Sequence, residues 1–212
     1  MFIQVASLDW QNVLVVMSAA NVNPRPCVSP EFAGKLAEKF YNFEKITEIK
    51  ELSSYCDGNF YIRGQRSNLC TTQQTETASR SLQDGEYVLK ILNSDDSKHG
   101  EFVDAENEAM RFLRERNFPC PLVYPVAGNS QLKLSVQIPL CKDRTNEVSI
   151  IQEDVNSHLS TSQECIIRLL SFLPGETAAS LDKLTHENLF CIGQFVGKMS
   201  RTFQVFIYGR SH

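Results

Sequence analysis

The sequence predicts an α+β fold, and three observations predict it. Five stretches carry strand character, either alternating apolar and polar residues or running apolar between turn residues. A helical segment with an apolar stripe, Glu101 to Arg116, interrupts them after the third. Helical spacing of large apolar residues also marks one segment before the first strand and one after the last.

Residues 1–24 join the apolar run Val13-Leu14-Val15-Val16-Met17 to a small-residue patch that ends at Pro24-Arg25-Pro26, and they are assigned to no element. Ser29 is an N-cap with Pro30 at the first helical position, and Phe32, Leu36, Phe40 and Phe43 recur at helical spacing, so a first helix is expected to about Tyr41. Ile46 to Leu52 alternates imperfectly, Ser53 to Asn59 is a dense turn, and Phe60 to Arg63 resumes strand character. The stretch from Gly64 to Gly85 is polar and is expected to be a flexible inter-strand loop, because few apolar groups are there to offset the entropy of ordering.

Glu86 to Leu92 is the third strand, closed by Asn93-Ser94-Asp95-Asp96. The helix from Glu101 ends near Asn117, ahead of Pro119 and Pro121. Val123 to Val126 is a short extended stretch, Leu132 to Ile138 a fourth strand, and Cys141 to Gln163 a second polar excursion. Cys165 to Leu173 is a buried fifth strand stopped by Pro174-Gly175, and a last helix starts from Thr185 and runs through Phe190, Phe195 and Met199.

Composition narrows the class. A chain of 212 residues with 42% hydrophobic content can bury a core, and a net charge of −4 without long blocks of like charge marks neither a nucleic-acid nor an anionic-membrane surface. The apolar N-terminal run lacks a basic flank and is broken at Asp9 and Gln11, short of a membrane span. Seven scattered cysteines, without a C-x-x-C pair, fit neither a secreted disulfide framework nor a zinc site, so a reducing cytosolic setting is expected.

Two residues stand out chemically. Lys90 sits in the middle of an apolar, β-prone run, and Glu106 falls on the line of Phe102, Ala109 and Leu113 in a helical projection. A carboxylate on an apolar stripe needs a cation, and Lys90 is a candidate. The ordinary alternative, that Lys90 snorkels and Glu106 sits at the stripe's edge, stays open from these residues alone. Likewise Ser53 to Asn59 reads either as a loop that points N–H groups at an anion or as a plain Asp-Gly hairpin turn. Neither a P-loop nor a G-x-G-x-x-G fingerprint occurs, and the histidines form no metal site or hydrolase triad. His99-Gly100-Glu101 resembles the start of a phosphotransferase catalytic loop, but it precedes a helix and lacks the following Asn.

Four stretches in order carry a family resemblance: Leu52 to Phe60, Glu86 to Ile91, Glu106 to Pro121, and Arg168 to Gly175. Together they resemble the front half of the aminoglycoside phosphotransferase and choline kinase group, and within it the hydroxylysine kinases, across roughly Arg25 to Phe206. The resemblance implies a kinase-like small lobe over 25–170, built as a five-stranded antiparallel sheet with one packed helix. It implies a hinge and the first helix of a truncated helical lobe over 171–206. Nucleotide would lie under the loop that carries Ser54, Asp57 and Asn59, with Lys90 on its phosphates and Glu106 orienting that lysine. The purine edge would bond the Ser171 C=O and the Leu173 N–H.

The family's chemistry is transfer of the γ-phosphoryl group of GTP (or ATP), with Mg²⁺, to a small amino alcohol, 5-hydroxy-L-lysine, in cytoplasmic lysine breakdown. The catalytic loop and the metal-binding Asp of that family have no counterpart in these 212 residues, so no catalytic or metal-binding residue is assigned. Residues 1–24 and the tail 207–212 do not resemble the family, and a truncated chain is expected. Two functions follow: a hydroxylysine kinase present as its nucleotide-binding half, or a non-catalytic kinase-like module that binds a nucleotide or a partner. In either, the open lobe interface would invite association.

Overall fold

All five expected strands form in the computed structural model, which describes residues 25–68, 81–139, 162–175 and 184–208, and a sixth joins them. The strands are β1 (Phe43–Leu52), β2 (Gly58–Asn68), β3 (Ser81–Ile91), β4 (Val123–Tyr124), β5 (Leu134–Pro139) and β6 (Ser162–Ser171). The added strand is β4, read from sequence only as a short extended stretch. Every described pairing is antiparallel, in the order β1-β2-β3-β6. The far edge of β6 is shared end to end, by β4 opposite Leu169 and Leu170 and by β5 from Ile167 to Ser162. The sheet is therefore five columns wide although six strands build it.

The chain packs as two compact units. Val22–Val103 with Val123–Ser171 forms one, and Asp104–Leu122 with the described residues from Phe172 belongs to the other. In the first unit, helix α1 (Pro30–Tyr41) starts as its sequence dictates: the Ser29 Oγ accepts from the Phe32 N–H at 3.2 Å. Ala33 and Ala37 let it lie close to the sheet, where it covers Phe60, Ile62, Leu89, Ile91, Ile167 and Leu169, all fully buried. Side chains of that size each stabilise by about 1.5–3 kcal/mol when buried. The helix stops at Asn42, which adopts the left-handed conformation, φ 54°.

An arginine closes that end. Arg66 Nε donates to the Tyr41 carbonyl, the last of α1, at 2.9 Å, and its guanidinium lies 4.5 Å from the Tyr124 ring and 5.4 Å from that of Tyr87. The cation thus meets both the negative end of the helix dipole and aromatic faces. Desolvation nonetheless pulls its pKa below the ordinary value.

Two expectations are corrected here. The polar stretch from Gly64 is strand over much of its length, with Gly64 opposite Gly85 and Asn68 opposite Ser81, because backbone pairing carries a hairpin arm whatever its side chains. Residues 69–80 and 140–161, the centres of the two expected loops, lie outside the described residues, as do 1–24. Cys27 is disulfide-bonded, which the scatter of cysteines did not suggest, whereas Cys56, Cys120, Cys165 and Cys191 are free thiols.

Helix α2 (Ser94–Ser97) is a single turn, and α3 (Gly100–Arg114) begins in the first unit and continues into the second. The second unit holds the end of α3 and helix α4 (His186–Tyr208). The α3 terminus has Asn117 at φ 61°, the Asn117 N–H on the Arg114 carbonyl and the Phe118 N–H on the Leu113 carbonyl, so orphan carbonyls are satisfied by the turn itself. Phe112, Leu113 and Phe118 then pack with Phe195, Met199, Phe203 and Phe206 of α4. Thr185 caps α4 reciprocally: its Oγ1 accepts from the Asn188 N–H at 3.1 Å, and the Asn188 Oδ1 accepts from the Thr185 N–H at 3.0 Å.

Candidate functional site

Lys90 stands in β3 on the face of the sheet opposite α1. Register fixes its neighbours: Asn59 of β2 and Arg168 of β6 are its cross-strand partners, so the three share a row on that face. Two cations side by side are unfavourable without an anion nearby. Asp57 supplies one, with its Oδ2 2.8 Å from the Lys90 Nζ.

That carboxylate is held from several directions. Its Oδ1 accepts from the Asn93 backbone N–H at 3.1 Å and from the Asn93 Nδ2 at 3.2 Å, and its own N–H donates to the Ser54 Oγ at 3.2 Å. Asn93 is fixed in turn as the N-cap of α2, where its Oδ1 accepts from the N–H groups of Asp95 and Asp96, each at 3.0 Å. The Asn93 Nδ2 also reaches the Asp96 Oδ2 at 2.6 Å. The side chains of Lys90 and Asp57 are 24% and 10% exposed, so the pair is largely out of water but reachable from one side.

The expected residues therefore divide. Ser54, Asp57 and Lys90 form one linked group, and Asn59 adjoins it, with its Oδ1 buried and without a hydrogen-bond partner among the described residues. Ser171 ends β6 opposite Tyr87, and Leu173 lies two residues beyond, half-buried. Glu106 is on an exposed face of α3, in the second unit. In the first turns α3 buries Val103 and Asn107, one residue out of phase with Phe102 and Glu106, and Phe102 is 65% exposed; Leu113, on the stripe read from sequence, is buried. Sequence reasoning missed Asn93, Asp96 and Arg168. Asn93 follows a strand directly and precedes two aspartates, a pattern that signals a capped turn.

The arrangement offers an ammonium group held against a rigid counter-ion and partly exposed. An activated nucleophile is not part of it: burial foremost, then the charges of Asp57 and Asp96, push the Cys56 thiol up and keep it protonated. The Cys56 Sγ and carboxylate oxygens of Asp57 and Asp96 lie within 4.8 Å of one another. A Mg²⁺ ion fits this set poorly, because it prefers hard oxygen donors to a thiol and both carboxylates are already engaged by Lys90 and Asn93.

Comparison with known proteins agrees with the resemblance read from sequence. No protein-family model matches the chain, and no solved structure does. It is 30% identical to a hydroxylysine kinase of Xenopus laevis, over 87% of this chain and 47% of that protein. A hydroxylysine kinase of Mus musculus is 26% identical over 88% of this chain and 42% of its own length, and one of Danio rerio is 26% identical over 77% and 35%. The chain spans less than half the length of these curated relatives. It is thus a relative of the hydroxylysine kinases, over most of its own length and a minor part of theirs.

Proposed function

We propose that this chain is the nucleotide-binding portion of a hydroxylysine kinase-type phosphotransferase. The observation that carries the reading is Lys90, a partly buried ammonium near the end of β3 and beside the β1–β2 loop, in a chain whose relatives bear that enzyme's name. Lys90 and the loop of Ser54, Asp57 and Asn59 take the phosphates of GTP or ATP, with Glu106 as the residue that orients Lys90 in the liganded state. The Ser171 C=O and Leu173 N–H take the purine edge. The bound nucleotide supplies a phosphoryl group for an alcohol acceptor, 5-hydroxylysine. The resemblance supports a cytoplasmic setting, whereas the disulfide at Cys27 counts against the reducing one read from the cysteines; no described helix is long and apolar enough to cross a membrane.

These 212 residues bind without turning over. Phosphoryl transfer needs a lysine on the phosphates, carboxylates for the metal and a group that orients the nucleophile, and among the described residues only the first is assigned. Few contacts imply weak binding, with a dissociation constant on the order of millimolar. The test is incubation of purified chain with Mg²⁺, GTP and 5-hydroxylysine beside a longer relative. Binding that is lost in Lys90→Ala, without turnover, is expected; turnover comparable to the longer relative's would overturn the reading. The second reading, a non-catalytic partner-binding module, is favoured by Leu189, Phe190 and Val205, which α4 leaves exposed. It predicts association that is indifferent to nucleotide.

A further inference from the structure

The sheet face opposite α1 presents Lys90 already engaged. Its partner is no surface carboxylate that swings away freely: Asp57 is 7% exposed, and three hydrogen bonds fix its position, two from Asn93 to its Oδ1 and one from its own N–H to Ser54. The carboxylate therefore divides its work between its oxygens. Oδ1 belongs to the latch that ties the β1–β2 loop to the end of β3, and Oδ2 faces the Lys90 Nζ. Any anion that reaches Lys90 arrives next to a negative charge that cannot retreat without breaking the latch.

We infer that Asp57 is the resident counter-ion of Lys90 and that an anionic ligand competes with it for the lysine. The inference rests on the proposal that Lys90 takes phosphate oxygens, and it changes the part given to Asp57. Instead of contributing to affinity, Asp57 keeps the ammonium aimed and paired while the site is empty, and it lowers affinity for anions by that much. A population in which Lys90 has left Asp57 is the one that binds, so the pair sets a threshold that weak or singly charged anions do not pass. Asp57 is in this sense a positioning residue for Lys90, since it acts through the lysine.

The experiment uses the full chain and inorganic tripolyphosphate as the probe, in EDTA so that no divalent ion bridges carboxylate and phosphate. Binding is measured by amide chemical-shift titration for the wild type, Asp57→Asn and Lys90→Met, with far-UV circular dichroism to confirm the fold. Asp57→Asn keeps an acceptor oxygen for Asn93 and removes the charge. It is expected to bind about tenfold more tightly than the wild type, the effect of removing one charge beside the anion at a partly exposed site. Lys90→Met is expected to lose binding. Equal or weaker binding by Asp57→Asn, with binding still lost in Lys90→Met, overturns the counter-ion inference and leaves the lysine reading standing. Undiminished binding by Lys90→Met, or none by any of the three, overturns the lysine reading itself. Should Asp57→Asn not fold, the carboxyl ¹³C shift of Asp57 in the wild type decides: it moves on saturation if the pair opens, and a shift that stays in place refutes the competition.

Discussion

The Lys90–Asp57 pair offers a direct test of whether burial or distance governs ion-pair strength in this chain. Its N···O separation is 2.8 Å, while Lys98 and Asp95, on an exposed turn nearby, are 2.6 Å apart with side chains 69% and 51% exposed. Coulomb's law at one dielectric constant would rank the exposed pair at least equal. Burial reverses the order, because Lys90→Met leaves a carboxylate with 10% side-chain exposure, whose compensation among the described residues comes from the two Asn93 donors and the Cys56 thiol at 3.9 Å. That loss is expected to cost about 3 kcal/mol. Adding Asp57→Asn to Lys90→Met should recover part of it, which gives a coupling energy of about 2 kcal/mol from the double-mutant cycle. The cycle for Lys98 and Asp95 should return less than about 0.5 kcal/mol and should fall further in high salt. Urea unfolding followed by circular dichroism measures both. Equal couplings, or a larger one for the exposed pair, would refute the reasoning from burial.

Two further outcomes follow from the first unit's core. Arg66→Met should destabilise by about 1–2 kcal/mol, since the lost bond to the Tyr41 carbonyl and the contacts with Tyr124 and Tyr87 outweigh relief from burying a cation, and Arg66→Lys should not restore the wild-type urea midpoint. Burial pushes the Cys165 thiol from 9.0 up to about 11, with the charges of Asp57 and Glu164 adding to the shift. A folded pKa above the unfolded one means that the stabilisation is complete below about pH 9 and drains as pH rises towards 11. At pH 8, iodoacetamide should modify exposed Cys191 while Cys165 stays unlabelled until urea unfolds the chain; early labelling of Cys165 would show that its site opens locally.

Much of the fold was legible because its signals are local. Ser29-Pro30 and Thr185 each announce a helix start through atoms within three residues, and the structure uses the Ser29 and Thr185 hydroxyls as expected. The apolar core of β2, β3 and β6 was legible for the same reason, since runs such as Phe60-Tyr61-Ile62 and Cys165-Ile166-Ile167 have nowhere to go but a sheet interior. Local reading erred where side chains are polar but the backbone pairs anyway. The arms of the β2–β3 hairpin from Gly64 to Asn68 and from Ser81 to Gly85 carry little apolar surface, so they read as loop although their backbones pair. The two-residue strand β4 differs: Val123 and Tyr124 read as extended, and it is the pairing with Leu169 and Leu170 that makes them a strand, which no pattern in two residues could say.

The site was less legible because its decisive contact joins residues whose local roles already look complete. Asp57 precedes Gly58 in a turn, and a turn aspartate needs no further explanation. Its burial comes from Asn93, 36 positions away, and its charge is matched by Lys90 across the β2–β3 pairing. Helical periodicity pointed to Glu106 instead, because a line through Phe102 and Glu106 leads on to the buried Leu113, while the line through Val103 and Asn107 differs from it by one residue, about 100° of rotation. Packing decided between them: Val103 closes on Leu92 and Ile166, and Phe102 is left in water. A glutamate's place on a projection is thus set by which neighbour the helix must cover, and a lysine's partner by which carboxylate the loop has already immobilised.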